Sequence, residues 1–581
     1  MRLINLKLNE AFRSLPKGFS IDFVEFEECP ENFDLTSVEF NPYILAGRNG
    51  SGKSNLLEVL ASMFFHLDCQ YVDFLPESFK YDPDTNPNGF RGEESTPNDF
   101  ELEYLIKTPD DLLEGGAGIT AHIKIIKKEN KSAQLFWLNH PQHGKEKSLT
   151  KNIANKLLPD AVIGYSSGEN EVLSLPFFKM RYVQYDEYMQ FLKQDMAYFE
   201  ESESRLTYLD KEFSQAILLS NLLMQSQDLL TPFETEVGIV DVQQFRIILK
   251  RNIWVDDETA NEFDSKYLEK EQEGYGFGNY NFKLNILARL QNTIDILARC
   301  ATSYYVDESD DVIYLDYLVN DETKKAFNNN FKSPIELFEK LNLLLTLNLY
   351  DTSEHLKSDL YQSKSLYVSE TVPILASDRR VMRFKDLKLK TDKAKGSVYL
   401  KNLSDGEHQF LHSLGICMLY SKKNCLFLLD EPDTHFNPSW RAQFISSLKQ
   451  CFEETNEENS SISQREMLIT THSPFLISDS EEDKVLVFEK NDNNVVVTTP
   501  GYTTLGSSIN KITIKTFNKK ETIGGVAKQK MEQFRSDFSE LNSDGQKQEL
   551  IDKINLKLGD SIEKLMLIKD VLDSMEENEA Q

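Results

Sequence analysis

The chain has 581 residues, with 94 acidic side chains against 64 basic ones and a formal net charge of −30. That balance excludes nucleic-acid binding by the surface at large, because phosphate contact needs clustered Lys and Arg; a local basic groove is compatible with it. No apolar run nears the ~20 residues of a membrane span and no charged-then-apolar leader opens the chain, so a cytoplasmic protein without a membrane partner is expected. The length predicts about three structural units. Six cysteines, at 29, 69, 300, 417, 425 and 451, form no C-x-x-C pair. They read as reduced thiols, with neither structural zinc nor disulfides.

In chain order, Arg2–Leu8 and Ile21–Phe26 alternate as antiparallel strands. Pro42–Ala46 reads as a buried strand, and Asn55–Phe65 as a helix. Between them lies Gly47-Arg48-Asn49-Gly50-Ser51-Gly52-Lys53-Ser54. Its glycines let successive N–H groups curl inward around phosphate oxygens. Lys53 adds a point charge for the β- and γ-phosphates, the Ser54 hydroxyl is placed for Mg²⁺, and the helix that continues through Asn55 favours an anion at its start. Residues 70–98, rich in Pro, Asp, Asn and Gly, read as a loop. The segments 100–106, 121–126 and 133–138 read as strands that complete an antiparallel lobe.

Asp160–Tyr165 reads as a further strand, followed by a small-residue turn at 166–171. From about 195 to 360 the periodicity predicts a mostly helical insertion, with helices over Arg205–Leu230, Asn281–Tyr304 and Pro334–Leu349. Breaks fall at Gly238, 273–279 and 307–311, too frequent for a long coiled coil. Met382–Leu389 and Ser397–Leu400 predict a β-hairpin leading into Leu403-Ser404-Asp405-Gly406-Glu407. Cys425–Leu429 is an apolar run typical of a central parallel strand, and it ends in Asp430-Glu431-Pro432. A carboxylate there lies at the crevice where ligands bind. Asp430 is expected to hold Mg²⁺ and Glu431 to act as general base toward water. Met467–Thr471 reads as a second buried strand, ending in His472-Ser473. A closing hairpin at 484–488 and 494–498 precedes a charged, helical tail from 507 to 581.

The order of these motifs, phosphate loop, LSDGE, LLDEP, TTHSP, resembles the ABC-type ATPases, specifically the soluble branch with SMC-like, RecF-like and OLD-like members. The resemblance implies an α/β head with a P-loop parallel sheet and an antiparallel β lobe, split here into 1–194 and 366–506 around the insertion at 195–365. The lobe would hold base and ribose. The resemblance also implies ATP and Mg²⁺ as ligands, and a head-to-tail dimer or higher oligomer. In that arrangement Ser404, Gly406 and Glu407 of one chain would meet the γ-phosphate held by the other. His472 matches the switch histidine. Gln184, within Arg181–Tyr185, is the candidate for the glutamine that senses Mg²⁺ and water at the end of the lobe. Two positions depart from the family segment: Asp433 stands where Glu is usual, and Asn437 where a second His is usual.

Three functions are weighed. An ATP-hydrolysing switch in a multi-subunit complex fits the intact Lys53, Ser54, Asp430 and Glu431. A fused nuclease of the OLD kind needs a metal-binding Toprim unit, and the 109 residues after His472 offer no such strand-borne carboxylates. A non-hydrolysing scaffold needs a damaged base or metal ligand. Within the first class, the chain is similar to the ATPase subunits of Septu-type and retron-associated anti-phage defence systems. That implies a separate HNH-type nuclease as partner, with nucleic acid reached through the complex. The alternative is a RecF/SMC-like DNA repair ATPase acting directly on DNA.

Overall fold

The structure, a computed structural model, describes residues 1–24, 40–72, 75–115, 119–140, 147–167, 171–197, 204–270, 282–363, 372, 374–392, 396–421, 423–453, 465–491, 494–518, 523–541 and 543–579. Two compact units emerge, Met1–Gly506 and Ser507–Gln581.

In the first unit, β1 (Arg2–Leu8), β2 (Ser20–Asp22), β4 (Phe100–Lys107), β5 (Thr120–Lys127) and β6 (Gln134–Trp137) form an antiparallel sheet in the order β2-β1-β4-β5-β6. Alternation in the sequence sets its two faces. Phe100, Leu102 and Tyr104 point into the core, while Glu101 and Glu103 point outward to Lys124, at 3.0 and 2.7 Å. Glu25 and Phe26, expected to extend the second strand, lie outside the described residues.

The second sheet is the chassis of the site. Its order is β20 (Asn494–Thr498), β19 (Val485–Asn491), β3 (Tyr43–Gly47), β18 (Arg465–Thr470), β17 (Cys425–Asp430), β7 (Ala161–Ser166) and β8 (Leu206–Leu209). All neighbours are parallel except β19 and β20. β3, β7 and β17 are buried along their whole length, as continuous apolar runs in a two-sided parallel sheet must be. Four of the described cysteines, at 69, 417, 425 and 451, are free thiols buried in this unit, as is Cys300.

The insertion departs from a mostly helical reading. Helices do form at Ser214–Met224, Gln291–Cys300, Asp321–Asn330 and Pro334–Thr346. Alongside them β9 (Ile239–Lys250) is a twelve-residue strand at the centre of a third sheet, ordered β13 (Ser303–Asp307), β14 (Val312–Leu318), β9, β15 (Met382–Thr391), β16 (Gly396–Tyr399). A small sheet of β10 (Asn252–Val255), β12 (Phe282–Asn285) and β11 (Leu268–Lys270) follows it. In β9 the buried Phe245, Ile247 and Leu249 recur every second residue. That is the strand period, which coincidental i, i+3 matches obscure.

The helix expected over 205–230 gives way to β8 and a turn. Asp210 Oδ1 accepts from the N–H groups of Glu212 and Phe213 and so breaks the helical ladder. The helix expected over 281–304 keeps only its middle, because Phe282–Asn285 pairs with β10 and β11 and Ser303–Asp307 with β14. The hairpin assigned to the ATPase half pairs instead with β9, inside the insertion's sheet. The expected break at 273–279 lies outside the described residues.

The insertion braces the core of the head. The Ser214–Met224 helix packs on the Asp405–Leu419 helix, where Asn221 Nδ2 donates to Gly415 O at 2.9 Å. The second unit has helices Ile509–Lys515, Gly525–Ser539, Asp544–Lys557 and Ile562–Glu579. Met531, Phe534, Leu550, Ile554, Leu567 and Val571 form its own core.

One buried group ties this fold to pH. His66, on the helix Lys53–Tyr71, is buried beside Phe90, and its Nε2 meets no partner among the described residues. Burial, with Lys127 adding repulsion, pulls its pKa down to about 3. The folded imidazole therefore stays neutral where an unfolded one, with pKa about 6.5, takes up a proton. Below about pH 6.5 the unfolded state binds more protons, so this group costs stability as pH falls, until about pH 3. The difference in urea unfolding energy between wild type and His66→Leu is expected to change by about 1.4 kcal/mol per pH unit from pH 6 to 4. A difference independent of pH would show that His66 titrates normally in the folded chain.

Candidate nucleotide site

The strands β3, β17 and β18 end side by side, and their C-terminal residues build the site. The loop after β3 turns through Gly47, Gly50 and Gly52, at φ 139°, 74° and 103°, which side chains rarely tolerate. Arg48, Asn49 and Gly50 are exposed. The Ser51 hydroxyl is buried and meets no partner among the described residues. A buried donor at the start of a helix, inside a turn of positive-φ glycines, fits an anion.

Lys53 Nζ donates to Gly47 O at 3.1 Å and Arg48 O at 3.2 Å. Burial lowers its pKa below the ordinary lysine value, against the opposing pull of Glu431 and Asp430. Ser54 Oγ donates to Asp430 Oδ1 at 2.8 Å, and Thr470 Oγ1 donates to the same oxygen at 2.6 Å. A hydroxyl beside a carboxylate suits Mg²⁺, which takes oxygen ligands and keeps several of its waters. Among the described residues, no cluster of three or more His, Cys, Asp or Glu is formed for a metal of another kind.

Glu431 sits one residue beyond, at φ 49°. A left-handed non-glycine residue costs of order 1–3 kcal/mol and persists only where its surroundings hold it. Here the Glu431 N–H donates to both Thr470 O and Thr470 Oγ1, at 3.1 and 3.0 Å. The turn aims the carboxylate at His472, with Oε1 3.4 Å from Nε2. That hydrogen bond holds Glu431 below the ordinary glutamate range despite partial burial, and Lys53 adds to it. The same Nε2 lies 3.3 Å from Lys53 Nζ. A protonated Nε2 can serve only the carboxylate, and an unprotonated one only the ammonium.

The segment after Glu431 is fastened on both sides. Asp433 is buried and accepts from Thr471 Oγ1 at 2.9 Å. Asn437 Oδ1 accepts from Trp440 N and starts the next helix. The two departures from the family segment thus do local structural work. The His435 N–H donates to Gln409 Oε1. Gly406 is required by close approach, since a Cβ there would stand 2.6 Å from His435 O.

Ser404 is exposed and caps the Asp405–Leu419 helix. Its N–H donates to Glu407 Oε2 at 2.7 Å, completing a capping box. Within its own chain Glu407 is a cap. Neither Ser404 nor Glu407 bonds to the loop cluster of the same chain. Asn55, expected at the nucleotide, commits its side chain to Ser14 and Glu58.

Gln184 requires correction. It lies buried inside the helix Glu171–Lys193, and not at the end of a lobe strand. Beside Asp430 stand instead Ser166 and Ser167: the Ser167 N–H donates to Asp430 O at 3.0 Å, and Ser167 Oγ lies 2.7 Å from Thr434 Oγ1. Residues 168–170 of that turn lie outside the described residues. Sequence reasoning also assigned nothing to Thr470, although a threonine pair closing an apolar strand next to His472 was legible.

A family model for the AAA ATPase domain matches residues 1–477. The chain belongs to this ATPase domain family. Among solved structures the ATPase is similar to an Smc head bound to the C-winged helix domain of ScpA, at 12% identity and TM-score 0.32, covering 86% of this chain and 98% of that one. An Smc head with an extended coiled coil from Pyrococcus furiosus, bound to the C-terminal domain of ScpA, gives 12% identity and TM-score 0.30, over 86% and 96% of the two chains. An Smc head with coiled coil and joint from Pyrococcus yayanosii gives 11% and 0.30, over 86% and 97%. No helix among the described residues is long and apolar enough to cross a membrane.

Proposed function

We propose that this ATPase binds ATP with Mg²⁺ and hydrolyses it in a head-to-tail dimer. The carrying observation is the cluster of Lys53, Ser54, Asp430, Glu431 and His472, with Ser404 exposed and unused by its own loop. The loop N–H groups and Lys53 hold the β- and γ-phosphates. Ser54 and Asp430 hold the metal, which when bound neutralises charge on the phosphate oxygens. Glu431, kept ionised by His472, accepts the proton of the attacking water. His472 orients that carboxylate and faces the γ-phosphate. Ser404 and the helix start behind it reach the nucleotide of the second chain.

On its similarity to Septu-type and retron-associated ATPases, the chain serves as the regulatory subunit of a separate HNH-type nuclease in anti-phage defence. The C-terminal unit supports a protein partner. Its last helix buries Leu567 and Val571 but exposes Ile562, Leu565, Met566 and Leu572, with Leu556 at 85% exposure on the helix before. Such an apolar stripe is what docking covers.

Glu431→Gln is expected to keep ATP binding and to slow turnover by about two orders of magnitude or more, because an amide cannot accept the proton. Near-normal turnover would remove Glu431 from the base role. Lys53→Ala and Ser404→Arg are each expected to be inactive and to regain activity when mixed, since one composite site of the heterodimer is intact. Heterodimers without recovery would overturn the head-to-tail arrangement. Purified from its native host, the full chain is expected to carry a small nuclease, and Leu565→Asp with Met566→Asp to release it while ATPase activity persists. Cleavage of nucleic acid by the chain alone, lost on changing a residue outside the ATP site, would instead make it a self-contained nuclease. DNA-stimulated ATPase activity with no co-purifying nuclease would favour direct action on DNA.

A further inference from the structure

The third sheet has two unlike faces. One is apolar and buried: Phe245, Ile247 and Leu249 of β9, with Leu315 of β14 and Met382 and Leu389 of β15. The register places the opposite residues on the other face. There Arg246 lies beside Asp316 and Lys385, Ile248 beside Tyr314 and Arg383, and Lys388 beside Gln244 and Tyr399. This second face is cationic. Arg383, Lys385, Lys388 and Lys390 project from β15 alone, as two pairs at two-residue spacing, ~7 Å within each pair, joined by a bulge between Lys385 and Lys388.

Three acids lie among these cations: Asp316, Asp241 and Asp386, whose charge acts on Arg246. Asp316 holds Arg246 at 2.6 Å, and Asp241 holds Lys390 at 3.4 Å and Lys324 at 2.8 Å. Among the described residues Lys385, Lys388 and Arg383 make no ion pair; Arg383 donates to the Ser377 hydroxyl. The sequence marks the same place. Residues 379–401 hold nine Lys or Arg and two Asp, a net charge of +7 in a chain of −30, with Arg379 paired to Asp351 and Arg380 to Glu212.

Tyrosines are set among these cations. Tyr305 and Tyr314 stack with centroids 6.1 Å apart and planes 23° from parallel. Arg246 lies 5.4 Å from the Tyr314 ring centre, and Lys388 lies 4.8 Å from that of Tyr399. Tyr305 is 59% exposed on the edge strand β13. A structural role alone does not require unpaired cations and tyrosines, one exposed and two half-buried, around the buried Ile248 on one face of a protein of net charge −30.

We infer that this face binds single-stranded nucleic acid, the cations of β15 tracking its phosphates and Tyr305, Tyr314 and Tyr399 stacking on its bases. Cations alone would serve any polyanion. The exposed Tyr305 ring, with the half-buried Tyr314 and Tyr399, selects unpaired bases, whose faces a duplex hides. Because β15 and β16 come from the 379–401 segment and β13, β14 and β9 from the insertion, the platform exists only where the two have paired.

The test is fluorescence anisotropy of the full chain with labelled oligo-dT of about 30 nucleotides, without ATP, so that failure here is distinct from failure of hydrolysis. Binding is expected to weaken steeply between about 50 and 200 mM salt. Lys385→Glu with Lys388→Glu is expected to lower affinity at least about tenfold. Tyr399→Ala is expected to lower it about tenfold while Tyr399→Phe retains it. Absence of binding by the wild type, equal affinity in these variants, or preference for duplex DNA or for phosphatidylserine vesicles would each overturn the proposal. Ultraviolet cross-linking of the wild-type chain to the same oligonucleotide needs no variant. Adducts on Tyr305, Tyr314 or Tyr399 support the assignment, and adducts confined elsewhere overturn it.

Discussion

One carboxylate oxygen joins the two ends of this enzyme. Asp430 Oδ1 accepts from Ser54, at the start of the phosphate-loop helix, and from Thr470, at the end of the neighbouring strand. Asp430 is 3% exposed, and a buried carboxylate left without donors is costly by several kcal/mol. The parallel register of β3, β18 and β17 supplies those donors, and nothing local could, because Ser54 and Asp430 are 376 residues apart. Thr470 then serves a second time, receiving the Glu431 N–H and holding that residue in its left-handed turn. The Ser54–Asp430 pair proposed to hold the metal and the aim of the Glu431 carboxylate therefore depend on one strand: moving β18 would disturb both.

The chain between these ends is part of the machine. The Ser214–Met224 helix of the insertion packs against the Asp405–Leu419 helix and spends an asparagine amide on the carbonyl of Gly415. Phe338 meets Tyr420 and Lys423 meets Glu339 at the far end of that helix. At its near end Gly406 lies against His435 so closely that a methyl group has no room. The helix is thus held at one end by the insertion and at the other by the segment that follows Glu431. A displacement of the insertion must move the helix start, where Ser404 is exposed, or break one of those contacts.

The cluster of Lys53, Ser54, Asp430, Glu431 and His472 was legible in the sequence because its members sit in short, contiguous motifs. A glycine loop between strand and helix, and a carboxylate pair closing an apolar run, each carry their own context. Gln184 was not legible, since the residues around it form a helix whose apolar and polar positions mix, and only tertiary packing decides between strand and helix there. The third sheet was missed for a related reason. Its members come from 239–250, 303–318 and 382–399, and strand pairing at such separations leaves no local trace beyond a weak period of two. The Asp210 turn was readable in principle, as an Asp followed by two residues whose N–H groups it can accept.

Net charge misleads when charge is sorted by position. At −30 the chain repels polyanions at long range, but within a Debye length of about 8 Å only nearby charges count. Four cations, Arg383, Lys385, Lys388 and Lys390, share one face of β15, because Met382 and Leu389 face the core and the bulge between Lys385 and Lys388 keeps both of them on that side. That strand runs through β16 and a single turn at Leu400–Asn402 into Ser404. The basic stretch 379–401 therefore ends three residues before the serine expected to meet a second chain's nucleotide.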